Sequence, residues 1–144
     1  MPFIKAWVHY VWATKNREPV LTDSIRHILF SHIRANAKEK GIYIDRINGY
    51  IEHVHCLVSL SSNQTIEKVA QLLKGESSFW FNHQSGISPT PLYWQNDYFA
   101  VSVSESGVDK VRAYIDNQEE HHKKKTFAQE YDEFISKYGF ENKA

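Results

Sequence analysis

The chain has 144 residues, with 17 basic and 17 acidic side chains and a formal net charge of zero. That length allows one compact domain with a real core, and the balance excludes a global electrostatic attraction for nucleic acid, so an anionic partner must meet a local patch. A single cysteine, Cys56, excludes an intramolecular disulfide. It suits a reducing compartment, and with neither a signal-type stretch nor a bilayer-length apolar run, a soluble cytoplasmic protein with no membrane partner is expected.

Residues 3–13, FIKAWVHYVWA, are rich in β-branched and aromatic side chains and predict a first strand. TKNREPV follows as a turn, punctuated by Pro19. Thr22 or Asp23 can cap a helix running to about Lys40, with Ile25, Ile28, Leu29, Ile33 and Ala37 on one face and Gly41 ending it. IYIDRINGY and IEHVHCLVSL predict two strands joined near Asn48-Gly49. A second helix is predicted from Thr65 to about Asn82 on the stripe Ile66, Val69, Leu72 and Leu73, followed by the loop SGISPTP. Phe99, Val101 and Val103 alternate at the end of YWQNDYFAVSV, giving a fourth strand. A third helix is predicted from about Val108 through Tyr114 to about His122, and TFAQEYDEFISKY (126–138) predicts a last helix before Gly139. The order βαββαβ followed by helices implies an α+β fold. It is a ferredoxin-like or RRM-like sandwich, with an antiparallel sheet, helices on one face and an added C-terminal helix carrying Tyr114.

Within EHVHCLVSL, alternation sends Val54, Cys56, Val58 and Leu60 toward the covering helices and His53, His55, Leu57 and Ser59 to the other, open face. Strand rise puts the Cβ atoms of His53 and His55 roughly 6–7 Å apart, close enough for two ring nitrogens to converge on one cation. A metal needs further ligands. Tyr114 has Gln118 one helical turn away on the same face, which adds an amide carbonyl oxygen and a phenol able to act as a nucleophile. Taken singly, each pair also reads as ordinary structure: two histidines on a sheet face, and an amphipathic helix stripe.

Together with VWATKNREPVL, KGESSFWFN (74–82), YWQNDYFAVSVS (93–104) and YIDNQEEHHKK (114–124), His53-Val54-His55 resembles the HUH endonucleases. The resemblance is to the small single-tyrosine transposases of insertion sequences that move as single-stranded DNA, and to the related REP-associated tyrosine transposases. It covers nearly the whole chain as one domain, residues 1–144. It implies that His53, His55 and Gln118 bind a divalent metal, Mg²⁺ or Mn²⁺, and that Tyr114 is the nucleophile. It further implies a 5′-phosphotyrosine intermediate, hairpin-bearing single-stranded DNA as partner, and a homodimer.

Lys15, Arg17, Lys74, Arg112, Lys123, Lys124 and Lys125 are candidates for phosphate contact. His121 and His122 read as a solvated helix end, although a phosphate contact or proton transfer is open to either. Cys56 reads as core; Trp94 and Tyr98 also read as core, with base stacking open to either. Two other functions stay open: a domesticated relative that processes repeated palindromes, and a non-catalytic RRM-like module that binds nucleic acid. The strands carry no RNP-type aromatic signature, which counts against the module.

Overall fold

The computed structural model describes residues 2–139. Four strands, β1 (Trp7–Ala13), β2 (Tyr43–Gly49), β3 (His53–Ser59) and β4 (Phe99–Val103), form one sheet in the order β2-β3-β1-β4. Every neighbouring pair is antiparallel, with β1 and β3 in the centre. β1 begins at Trp7, later than residue 3, and Phe3 is fully exposed ahead of it.

Helices α1 (Asp23–Glu39) and α2 (Ile66–Asn82) cover one face. Thr22 and Thr65 cap them by accepting hydrogen bonds from the backbone N–H groups of Ile25 and Lys68. Ile25, Leu29, Ile33 and Ala37 of α1, with Val69, Ala70, Leu73 and Phe81 of α2, pack on Val8, Tyr10, Trp12, Val54, Cys56 and Val58. Each fully buried large side chain in this layer contributes about 1.5–3 kcal/mol of transfer free energy. Ile28 and Ile66 leave the predicted stripes and stand in solvent, 44% and 43% exposed. Ile28 falls beside the row of every-fourth residues that faces the sheet. Ile66 opens α2, where its carbonyl accepts the Tyr10 hydroxyl.

The opposite sheet face is covered too. Trp7, His9, Val11, His53, His55 and Leu57 point to it, and helices α3 (Val108–Asp116), α4 (Gln118–His122) and α5 (Phe127–Tyr138) lie across them. The face expected to be open is therefore interior, and His53 and His55 have no exposed surface. The single helix expected from Val108 to His122 is interrupted at Asn117. Asn48 on β2 donates its side-chain N–H to the Ile115 carbonyl at 2.9 Å, occupying an acceptor that a continuing helix would use.

Gly49 closes the β2–β3 turn under a close approach: a Cβ there would lie 2.1 Å from the His53 carbonyl oxygen. The same carbonyl accepts the Tyr50 N–H, so the turn delivers His53 at the first position of β3.

Candidate active site and metal centre

Two strands and the three C-terminal helices bring five histidines, a glutamine, a tyrosine and a glutamate together. His53 receives support at Nδ1, which lies 2.7 Å from Glu52 Oε1. A carboxylate can only accept there, so Nδ1 donates and the ring is fixed with Nε2 turned inward. That Nε2 faces Gln118 Oε1 at 3.1 Å and Glu130 Oε1 at 3.4 Å. His55 is held from both sides: its Nδ1 lies 2.9 Å from His9 Nε2, and its Nε2–H donates to Glu130 Oε1 at 2.9 Å. Burial pushes His55 down to about 4 and His9 down to about 3, so both rings are neutral near pH 7.

The break at Asn117 turns Gln118 fully into the interior. Its amide N–H donates to the Tyr114 carbonyl at 3.2 Å, which leaves Oε1 directed at His53 and His122, 3.1 Å from each Nε2. Tyr114 lies with its ring centroid 5.4 Å from that of His55, and its hydroxyl donates to Glu130 Oε2. Burial and the Glu130 carboxylate both raise its phenol far above the ordinary tyrosine value.

Glu130, on α5, is missed by sequence reasoning, as is His9 on β1. Glu130 is 1% exposed. Oε1 faces His53 and His55; Oε2 lies 2.9 Å from His121 Nε2 and 3.4 Å from His122 Nε2. Burial opposes its ionisation, but hydrogen bonds from His122 and His55 outweigh burial and hold it well below the usual carboxylate range. His121 and His122 accordingly leave the solvated helix end expected for them, because α4 packs beneath α5. His122 stacks on Tyr50 at 5.3 Å, while His121 Nε2 is buried without a hydrogen bond of good geometry.

The donor set fits a divalent cation. His53 Nε2, His55 Nε2 and a Glu130 oxygen lie within 4.8 Å of one another, with Gln118 Oε1 beside them. Their neighbouring separations, 2.9 to 3.4 Å, are those of ligands sharing one ion at bond lengths of about 2.1 Å. His53 Nε2 thus faces two oxygens, Gln118 Oε1 and Glu130 Oε1, from one side of the cluster.

The basic candidates divide. Lys15 and Arg17 are exposed in the turn after β1, with the Arg17 guanidinium 5.3 Å from the Phe127 ring and 5.1 Å from the Tyr131 ring. That turn edges an open groove of about 880 Å³, also lined by Tyr98, Phe99 and Phe127. Lys124 is exposed beside the site. Lys74 and Arg112 are engaged within the protein. The Lys74 ammonium donates to the carbonyls of Gln95, Asn96 and Asp97 at 2.7 to 3.3 Å, holding that loop. Arg112 forks onto Asp45 at 2.7 and 2.9 Å and reaches Asp109, clamping α3 to β2. Lys123 and Lys125 pair with Glu120 and Glu133. Cys56 is fully buried, and Trp94 and Tyr98 pack against the main core as expected.

Comparison with known proteins gives this arrangement a family. The chain is 26% identical over 114 residues to the ISDra2 transposase TnpA of Deinococcus radiodurans, covering 76% of this chain and 81% of that protein. A crystal structure described as a candidate transposase from Deinococcus radiodurans R1 superposes with a TM-score of 0.61 at 27% identity, covering 81% of this chain and 93% of the other. A REP-associated tyrosine transposase bound to a REP hairpin shares the fold, with a TM-score of 0.56 at 16% identity over 86% of this chain and 71% of the other. The family model described as "Transposase IS200 like" matches residues 3–118, from ahead of β1 through the histidine pair and Tyr114 to Gln118, and on that span the chain belongs to the IS200-like transposases.

Proposed function

We propose that this transposase, a single domain over residues 1–144, cuts and rejoins single-stranded DNA at hairpin-bearing element ends through a 5′-phosphotyrosine at Tyr114. A divalent cation, Mg²⁺ or Mn²⁺, would be held by His53, His55 and Gln118. The observation that carries this reading is the placement of the Tyr114 phenol against the histidine pair of its own chain, with both reaching the same carboxylate.

When bound, the cation supplies Lewis-acid stabilisation of negative charge on the scissile phosphate. Tyr114 Oη forms a bond to phosphorus as the bond to the departing 3′ oxygen breaks, leaving a free 3′-OH on one strand and the 5′ phosphate on the protein. The ester keeps the energy of the broken bond, so a 3′-OH can later displace the phenol and rejoin strands without a nucleotide cofactor. Glu52 and His9 hold the two imidazoles with Nε2 inward, and Gln118 is fixed by the Tyr114 carbonyl, so the ligands need little rearrangement. Phosphate enters from the rim at Tyr114 and His121, both partly exposed. Lys15, Arg17 and Lys124 are free to meet the DNA backbone there and along the aromatic groove. The hairpin in the REP-associated neighbour supports a folded DNA end as partner. The same reading places the protein in the cytoplasm as a homodimer. No helix among the described residues is long and apolar enough to cross a membrane.

The test is incubation with Mn²⁺ and a hairpin oligonucleotide carrying an element end. Wild type gives a covalent protein–DNA adduct and Tyr114→Phe gives none; adduct formation by Tyr114→Phe at the wild-type level overturns the assignment.

A further inference from the structure

The ligands inferred above, two imidazoles and an amide, are all neutral. A hard dication such as Mg²⁺ or Mn²⁺ draws its strongest protein ligation from carboxylate oxygen. Such an oxygen is already in place. Glu130 Oε1 lies 2.9 Å from His55 Nε2 and 3.4 Å from His53 Nε2, the spacing of ligands on one ion. The carboxylate is interior, and among the described residues its ion-pairing partners are four histidines, with no lysine or arginine. An interior carboxylate without a permanent cation is costly, and a divalent ion at this position relieves that cost.

α5 is built to aim this group. Thr126 and Gln129 form a reciprocal capping box at its start, and Gly139 ends it in the left-handed conformation. Phe127, one turn before Glu130, stacks on the His53 ring at 4.2 Å and 11°. Phe134, one turn after it, packs against His9 and His55. The family match ends at Gln118, so this carboxylate lies in the segment beyond it.

We propose that Glu130 is a ligand of the divalent cation through Oε1, while Oε2 holds the Tyr114 hydroxyl, so that one carboxylate ties the nucleophile to the metal. The C-terminal helix is then a working part of the active site. This rests on the metal-dependent reading above.

The test is calorimetric titration of Mn²⁺ into the metal-free full chain, with the Mn²⁺ electron paramagnetic resonance signal as a second readout of bound ion. Four proteins are compared: wild type, Glu130→Ala, Glu130→Gln and the double variant His53→Ala/His55→Ala. Glu130→Ala is expected to weaken Mn²⁺ binding tenfold or more, with Glu130→Gln between it and wild type and the double variant without measurable binding. Glu130→Gln keeps the shape and hydrogen-bonding reach of the side chain, so it decides the matter where Glu130→Ala misfolds. Wild-type affinity in both Glu130 variants overturns the proposal. Tighter binding also overturns it, since the carboxylate would then compete with the ion for its seat. If wild type binds no Mn²⁺, the metal-dependent reading itself falls; if wild type binds and the Glu130 variants bind equally well, only the role of Glu130 falls.

Discussion

At the residue scale, the groups behind the inward-facing donors matter as much as the donors. Glu52 accepts from His53 Nδ1 and so sets which nitrogen faces the cluster of donors. Glu52→Gln is therefore expected to weaken Mn²⁺ binding by about 10- to 100-fold while leaving the fold intact, read by calorimetry beside circular dichroism. Gly49 acts through the backbone. Any Cβ there meets the His53 carbonyl, so Gly49→Ala must shift the turn that delivers His53. Chemical denaturation should show a loss of more than about 2 kcal/mol, together with weaker Mn²⁺ binding. His53, His55, Tyr114 and Gln118 were legible in the sequence because two short-range periods, two on a strand and about four on a helix, place them. Glu130 and His9 were not, because long-range packing brings them in. Each nevertheless left a trace: His9 is the one imidazole within the apolar run WVHYVWA, and Glu130 shares a helix face with Phe127 and Phe134.

At the element scale, the break between α3 and α4 determines the site. A continuous helix places Tyr114 and Gln118 one turn apart on a common face; the interruption at Asn117 sends the Gln118 carbonyl toward His53 while the Tyr114 hydroxyl reaches Glu130. Asn48 stabilises the break from β2 by donating to the carbonyls at the end of α3. Asn48→Ala is expected to cost about 1–2 kcal/mol in a denaturation experiment and to weaken metal binding, because the oriented Gln118 is lost with it. Caps, breakers and apolar stripes made α1, α2 and α5 legible, with Thr22, Thr65 and Thr126 at their starts. The interruption was not legible, since a helix-compatible run hides a stop imposed by a side chain from a distant strand. The same long-range packing explains why the histidine face, read as open, is interior.

At the scale of the whole molecule, the sheet carries two layers of different character. The α1/α2 face is apolar and supplies stability; the α3–α5 face buries a polar cluster whose donors fit a divalent cation. The metal-free protein should consequently be acid-sensitive. Burial holds His9 down to about 3 and His55 down to about 4, below the 6.5 of an unperturbed histidine. Between pH 6.5 and about 4 the unfolded chain therefore binds protons that the folded chain does not, and stability falls as pH falls. Glu130, held low in the folded state, acts in the same direction at lower pH, whereas His122, raised by Glu130 against the effect of burial, acts oppositely. Between pH 7 and pH 5 the lowered imidazoles, His9, His55 and His121, outweigh the raised His122, so in EDTA the thermal midpoint should drop by several degrees over that range; a midpoint that rises on acidification contradicts this balance.

The central claim, that the interior polar face is a metal-assisted tyrosine nucleophile, is tested most directly by covalent capture. Wild type, Tyr114→Phe and His53→Ala/His55→Ala are each mixed with a hairpin-ended single-stranded oligonucleotide in Mn²⁺ or in EDTA and resolved under denaturing conditions. The predicted result is a protein–DNA adduct for wild type in Mn²⁺ alone. Adduct at the wild-type level from Tyr114→Phe, or from wild type in EDTA, would contradict it.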